Sequence, residues 1–302
     1  MSERGLYWGL RFCAEAYRLL GRRGCLAIMA PIVLYFFATG GDQRRASAAF
    51  LARAFAARGE TRRPGLLDGF RHFFSFSARA LDTFIAWVGG RPPGGMIRAD
   101  GGILDGATAD PRGALFIVSH LGNVELSRAL LDPETRGRLT VLVHTRHAQH
   151  YNRVLREFRP EAAVNTLQVT EIGPETAIAL KERVDRGEWV VIAGDRTPVG
   201  GGQRVSRVPF LGAEAAFSQG PYILAALLDC PVYLLFCLRE NGVHRLYAER
   251  FADLIDLPRR DRQAALDGWA ARFASRLEHH CLKAPLQWFN FFDFWADGHA
   301  DR

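Results

Sequence analysis

The chain of 302 residues is 48% hydrophobic and 24% charged, with 39 basic residues against 32 acidic ones. That length holds one large domain or two small ones around a sizeable core, and the ordinary balance of apolar and charged residues excludes an intrinsically disordered chain. The five cysteines, Cys13, Cys25, Cys230, Cys237 and Cys281, are odd in number and contain no C-x-x-C pair, which argues against a disulfide scaffold or zinc ribbon and for reduced, packed thiols.

Only Lys181 and Lys283 among the basic residues are lysines; the others are arginines. A coding bias produces such an excess, and so does a surface for phosphate, anionic lipid or an acidic carrier protein.

The first elements are helical. Leu6 to Leu20 mixes apolar and aromatic residues with Arg11 and Arg18, and Cys25 to Ala38 is a run of 14 uncharged residues between Arg22, Arg23 and Arg44, Arg45. A spanning helix needs about 20 apolar residues, and Pro31 is expected to kink this one. A cleaved signal peptide needs its apolar stretch nearer the start and a small-residue cleavage site. Residues 6–38 are therefore expected to form an amphipathic, then apolar, hairpin in the bilayer interface with arginines on anionic phosphates; a buried helix pair is the alternative. Gln43 to Arg58 reads as a helix anchored by Phe50 and Phe55. Arg71 to Phe76 runs into a second aromatic-rich helix through Val88, suited to a lipid contact or to a core.

Residues 91–112, rich in glycine and proline, are the loosest connection. They divide an N-terminal helical, membrane-associating region (1–90) from an α/β core (91–302). In the core, short apolar runs predict strands at 114–118, 139–143, 188–193 and 231–238. Helical patterns fall at 122–131, 174–186, 219–228 and 259–282, and Asn241-Gly242 predicts a hairpin to an antiparallel strand at 244–250. The expected fold is α/β: a mixed, partly parallel sheet flanked by helices, after an N-terminal helical segment.

Ligands of such sheets bind at the carboxyl ends of the strands. There the sequence places Ser119 and His120, then His144, Thr145 and Arg146, then Gly194, Asp195 and Arg196. His120 and Glu125 lie five residues apart, so they meet if His120 is on the turn before a helix and Glu125 on its first turns; Gly122 suits that turn. Glu125 is then expected to accept from the imidazole Nδ1–H, leaving the other nitrogen to take a proton from a hydroxyl. No G-x-S-x-G elbow, phosphate loop or dinucleotide fingerprint occurs. His144, His147 and His150 lack a carboxylate or cysteine to complete a metal set, so no metal is expected. No nucleic-acid recognition signature accompanies the arginines.

His120-Leu-Gly-Asn-Val-Glu125 resembles the catalytic H-x(4)-D/E box of the lysophospholipid acyltransferase superfamily, and within it the chain resembles the lipid A late acyltransferases. Gly194-Asp-Arg196, Arg207-Val-Pro-Phe-Leu-Gly212, Ala216-Phe-Ser-Gln-Gly220, Cys230-Pro-Val-Tyr-Leu and Pro285-Leu-Gln-Trp288 continue the similarity over residues 10–295. Departures are Asp195-Arg196 for an Asp-Gln pair, Ala216-Phe-Ser218 where threonines are usual, and His144-Thr-Arg146 for Tyr-Arg-Pro.

The resemblance implies direct transfer of an acyl chain from an acyl carrier protein or coenzyme A thioester to a hydroxyl of a lipid or glycolipid such as a lipid A precursor. His120 is the implied base and Glu125 its orienting group, with no cofactor. Arg196 and Arg146 are candidates for the oxyanion, Asp195 for holding an arginine or the acceptor, and Arg159 for an acceptor phosphate. A lysophospholipid, ornithine-lipid or aryl-polyene acceptor, or a non-catalytic lipid-binding protein of the same fold, are the alternatives. The implied location is the cytoplasmic face of a bacterial inner membrane.

Overall fold

A computed structural model of the chain describes residues 3–89, 93–131, 133–143, 165–168, 174–196 and 204–296. Three helices come first: α1 (Glu3–Thr39), α2 (Gly41–Ala57) and α3 (Leu66–Gly89). In place of a hairpin loop, Gly21 alone, at φ 62 and ψ −175, joins two helical segments of α1. Pro31 lies inside the second segment, and the break falls at Gly21, where positive φ favours glycine. Proline removes one backbone hydrogen bond, but here packing holds the helix on either side of it. Cys25 lies against Leu81 and Ile85 of α3, and Phe37 meets Phe70 and Phe73 edge-on.

Arg22 adds a two-pronged ion pair to Asp82 of α3 at 2.6 and 2.9 Å. Asp82 is buried and is also reached by Arg239 and His244, so it ties α1 to the sheet. The outer face of α1 leaves Leu19, Ile28, Ile32, Leu34, Tyr35 and Phe36 exposed, and α3 adds Leu66 and Leu67. By length and composition Glu15–Thr39 is apolar enough to cross a membrane.

The sheet has seven strands in the order β1-β9-β8-β2-β5-β3-β4. They are β1 (Met96–Arg98), β2 (Ala114–Val118), β3 (Leu139–Val143), β4 (Asn165–Gln168), β5 (Trp189–Ala193), β8 (Val232–Glu240) and β9 (Val243–Ala252). β2 pairs parallel with both β5 and β8, β3 with β4 and β5, and β1 with β9; β8 and β9 form the antiparallel hairpin expected from Asn241-Gly242. Both turn residues have positive φ, the requirement that favours Asn-Gly in such turns.

The central strands are apolar on both faces because a core covers each. On one side Phe50, Leu51, Phe273 and Trp288 gather over Leu115 and Ile117; on the other, Phe116 packs with Trp189 and Tyr233. Among the described residues, the helices between and around the strands are α4 (Ile103–Ala109), α5 (Glu125–Leu130), α6 (Pro133–Gly137), α7 (Pro174–Asp185), α8 (Gly220–Leu228) and α9 (Arg262–Lys283), followed by a 3-10 turn, Pro285–Gln287. A separate hairpin, β6 (Val205–Phe210) with β7 (Ala213–Ser218), lies along α9.

Three differences from expectation have local causes. β1 and α4 fall in the glycine-rich stretch expected to be a connection; three and seven residues are too short to show a period. The helix expected from residue 122 begins at Glu125, because Gly122 bridges to Cys237 of β8. The β6–β7 hairpin was unmarked because its turn, Leu211-Gly212, takes positive φ at a leucine.

Candidate active site

The register of two parallel strands makes the site. β2 and β5 are aligned with Val118 opposite Ala193, so two residues past each strand end His120 comes beside Asp195. The ladder carries one step further, Gly194 N–H donating to the Val118 carbonyl at 2.8 Å. A Cβ on Gly194 would lie 2.7 Å from Phe273 and 2.8 Å from Ile117, so glycine is what lets α9 approach this strand end.

Asp195 accepts three hydrogen bonds. The His120 backbone N–H donates to Oδ2 at 2.8 Å, the Trp288 indole N–H to the same oxygen at 3.0 Å, and His120 Nδ1 sits 2.8 Å from Oδ1. Burial alone pushes the Asp195 carboxyl up, but the His120 charge and hydrogen bonds, with the Arg196 charge, hold it down at about 2. The carboxylate is therefore ionised, an acceptor only, and Nδ1 must carry the proton. That leaves the Nε2 lone pair free. The side chain of His120 is 37% exposed and that of Asp195 is 0%, so the imidazole is open to approach from outside and its carboxylate partner is not.

From sequence, Glu125 is the expected partner of Nδ1, and Asp195 is expected to hold an arginine or the acceptor. The structure places Asp195 at Nδ1, while Glu125 stands half-buried on the first turn of α5. Arg196 follows Asp195, its guanidinium 4.6 Å above the Phe292 ring. Arg146 and Arg159, like His144, His147 and His150, lie outside the described residues. Among the described residues no group of three His, Cys, Asp or Glu could hold a metal ion.

The loop carrying His120 is gripped on two sides. From the C-terminal segment, the Gln287 carbonyl accepts from Gly122 N–H at 2.7 Å and Phe289 N–H donates to the His120 carbonyl at 3.0 Å. From β8, the Cys237 carbonyl accepts from Asn123 N–H at 2.7 Å. The Asn123 side chain donates to the Arg79 carbonyl at 3.1 Å and accepts from Thr83 at 2.9 Å, and Arg79 Nε donates to the Gly122 carbonyl at 3.1 Å, so α3 braces the same turn.

Behind this loop, His72 of α3 is fully buried and bonded to the Trp288 carbonyl at 2.9 Å and to Ser47 at 2.8 Å. Burial pushes its ring down to about 4 against the pull of that carbonyl, so it is neutral near pH 7. Nε2–H therefore donates to Trp288, and Nδ1 accepts from the Ser47 hydroxyl.

In the aromatic run Trp288–Trp295, Trp288, Phe289 and Phe294 are buried in the core. Trp288, Gln287, Asn123 and His72 were missed as supports of the site. Trp288 and Gln287 lay inside a recognised motif, but nothing local marks the indole N–H as a partner for a residue 93 positions away. No curated protein matches the chain. Residues 100–296 match a family model described as bacterial lipid A biosynthesis acyltransferase.

Proposed function

The chain belongs to the bacterial lipid A biosynthesis acyltransferase family, and from that premise we propose that it moves a fatty acyl chain from an acyl carrier protein or coenzyme A thioester to a hydroxyl of a lipid A-like glycolipid, with His120 as general base. One observation carries the reading: an accessible imidazole whose Nδ1 rests on a buried, ionised Asp195.

In this reading Nε2 of His120 takes the acceptor's hydroxyl proton as its oxygen attacks the thioester carbonyl carbon. The carbonyl oxygen becomes an oxyanion, and Arg196 and Arg146 are the proposed donors to it. The intermediate collapses, the C–S bond breaks, and the imidazolium returns its proton to the leaving thiolate. Glu125, on the first turn of α5, is the proposed second carboxylate of the site, and Arg159 the proposed contact of an acceptor phosphate.

The exposed apolar residues of α1, with Leu66 and Leu67, support attachment to a membrane, for which the cytoplasmic face of the inner membrane is the proposed location. Full-length protein is expected to stay on anionic vesicles at about 1 M salt, where arginine contacts alone are screened. Release in a sedimentation assay at that salt would reduce the attachment to electrostatics.

The direct test incubates the purified chain with acyl carrier protein thioester and a lipid A precursor. The expected result is free thiol released in step with one added acyl mass on the acceptor. No thiol release with any lipid extract would leave a lipid-binding protein of the same fold.

A further inference from the structure

We propose that Trp288 is a positioning residue for acyl transfer: its indole N–H holds Asp195 so that Oδ1 stays on Nδ1 of His120. The proposal rests on the reading of His120 as the base. It starts from the freedom of a carboxylate, whose terminal torsion is broad and roughly two-fold. A single contact to Nδ1 would let Asp195 turn. Two donors on Oδ2, the His120 backbone N–H and the Trp288 indole, arrive from different parts of the chain and stop that rotation.

Trp288 is itself immobilised. Its ring is fully buried and edge-on to Phe50, Phe210 and Phe294 at centroid distances of 4.9, 5.2 and 4.8 Å. Its carbonyl is held by neutral His72, and its backbone neighbours bind the His120 loop through Gly122 and the His120 carbonyl. One residue thus fixes the loop that carries the base and the carboxylate that orients it. Packing alone asks only for a large ring. The indole N–H, buried where an unpaired donor is costly, is spent on Asp195.

The test removes that hydrogen and keeps the shape: 3-benzothienylalanine at position 288, where sulfur replaces the indole N–H, with Trp288→Phe as a second variant. Without that donor Asp195 is free to turn, Oδ1 leaves Nδ1 for part of the time, and the His120 imidazolium loses part of the charge that stabilises it. The other charged or titratable groups around the pair are unchanged: Arg196, Arg79 on the Gly122 carbonyl, Glu125 on α5, neutral His72, and the buried Cys281 thiol, which Asp195 helps push up.

In the full chain in detergent, the His120 ring titration by NMR and the acidic limb of the pH–rate profile are both expected to move down by about half a pH unit or more. The maximal rate falls while KM for the thioester holds. A His120 titration that stays in place in either folded variant overturns the proposal and leaves Trp288 as packing. Wild-type protein that consumes no thioester overturns the acyl-transfer reading instead, and the NMR titration still decides the role of Trp288.

Discussion

Asp195→Asn is expected to slow acyl transfer by on the order of 10³- to 10⁴-fold, the scale of loss when the aspartate orienting a catalytic histidine becomes an amide. The cause is the direction of two hydrogen bonds. Oδ2 of Asp195 accepts from the His120 backbone N–H and from the Trp288 indole. In the variant only the amide oxygen can face those donors, so the NH₂ group must face His120 Nδ1. Nδ1 then has to accept, the ring proton moves to Nε2, and the nitrogen offered to the acceptor hydroxyl is no longer a base. Single-turnover release of thiol measures the loss, with the melting temperature as the check on folding. A rate near that of the wild type would return the orienting role to Glu125. His120→Ala sets the floor for comparison, and Asp195→Asn is expected to lie close to it, because both remove the same lone pair.

Gly122→Ala is expected to destabilise the fold by about 3–5 kcal/mol, well beyond the usual single substitution. Gly122 has φ +71, and a Cβ there would lie 2.1 Å from the Cys237 carbonyl oxygen and 2.8 Å from its carbon. Both are backbone atoms of a central strand, and that oxygen already accepts from Asn123 N–H at 2.7 Å. Neither side can move without parting the His120 loop from β8. Gly212→Ala is the control: φ is +79, but nothing lies within 4 Å of its Cβ position, so only the left-handed backbone cost of about 1–2 kcal/mol applies. Urea midpoints of the two variants separate a steric clash from backbone strain. Equal midpoints would show that the loop yields, and would weaken the account of how His120 is held.

These two sites also show where local sequence stops being informative. β2, β3, β5 and β8 were legible because each is a short apolar run between polar or turn residues, and the β8–β9 turn because Asn-Gly tolerates positive φ. His120 was legible as the residue beyond a strand. Its partner was not: Glu125 is the nearest carboxylate along the chain, but Asp195 becomes a neighbour only through the parallel register of β2 and β5, 75 residues apart. Parallel register is a product of the assembled sheet and leaves no local pattern. Trp288 was obscured for another reason. Among so many aromatic residues its apolar bulk dominates the reading, while its one polar atom acts on a distant strand end. The Gly122 turn was foreseen, but the carbonyl that forbids a side chain there belongs to β8.

The pairing of Arg22 with Asp82 has a consequence for acceptor choice. Because Asp82 also receives Arg239 from β8, the second segment of α1 is joined to the strand that grips the His120 loop. In the proposed membrane-bound state, with the exposed row of α1 among lipid headgroups, this junction would hold the imidazole at a set height above the bilayer, like a gauge clamped to a bench. On that reading, hydroxyls carried at that height would meet His120, and those set deeper or standing farther out would not, whatever their chemistry.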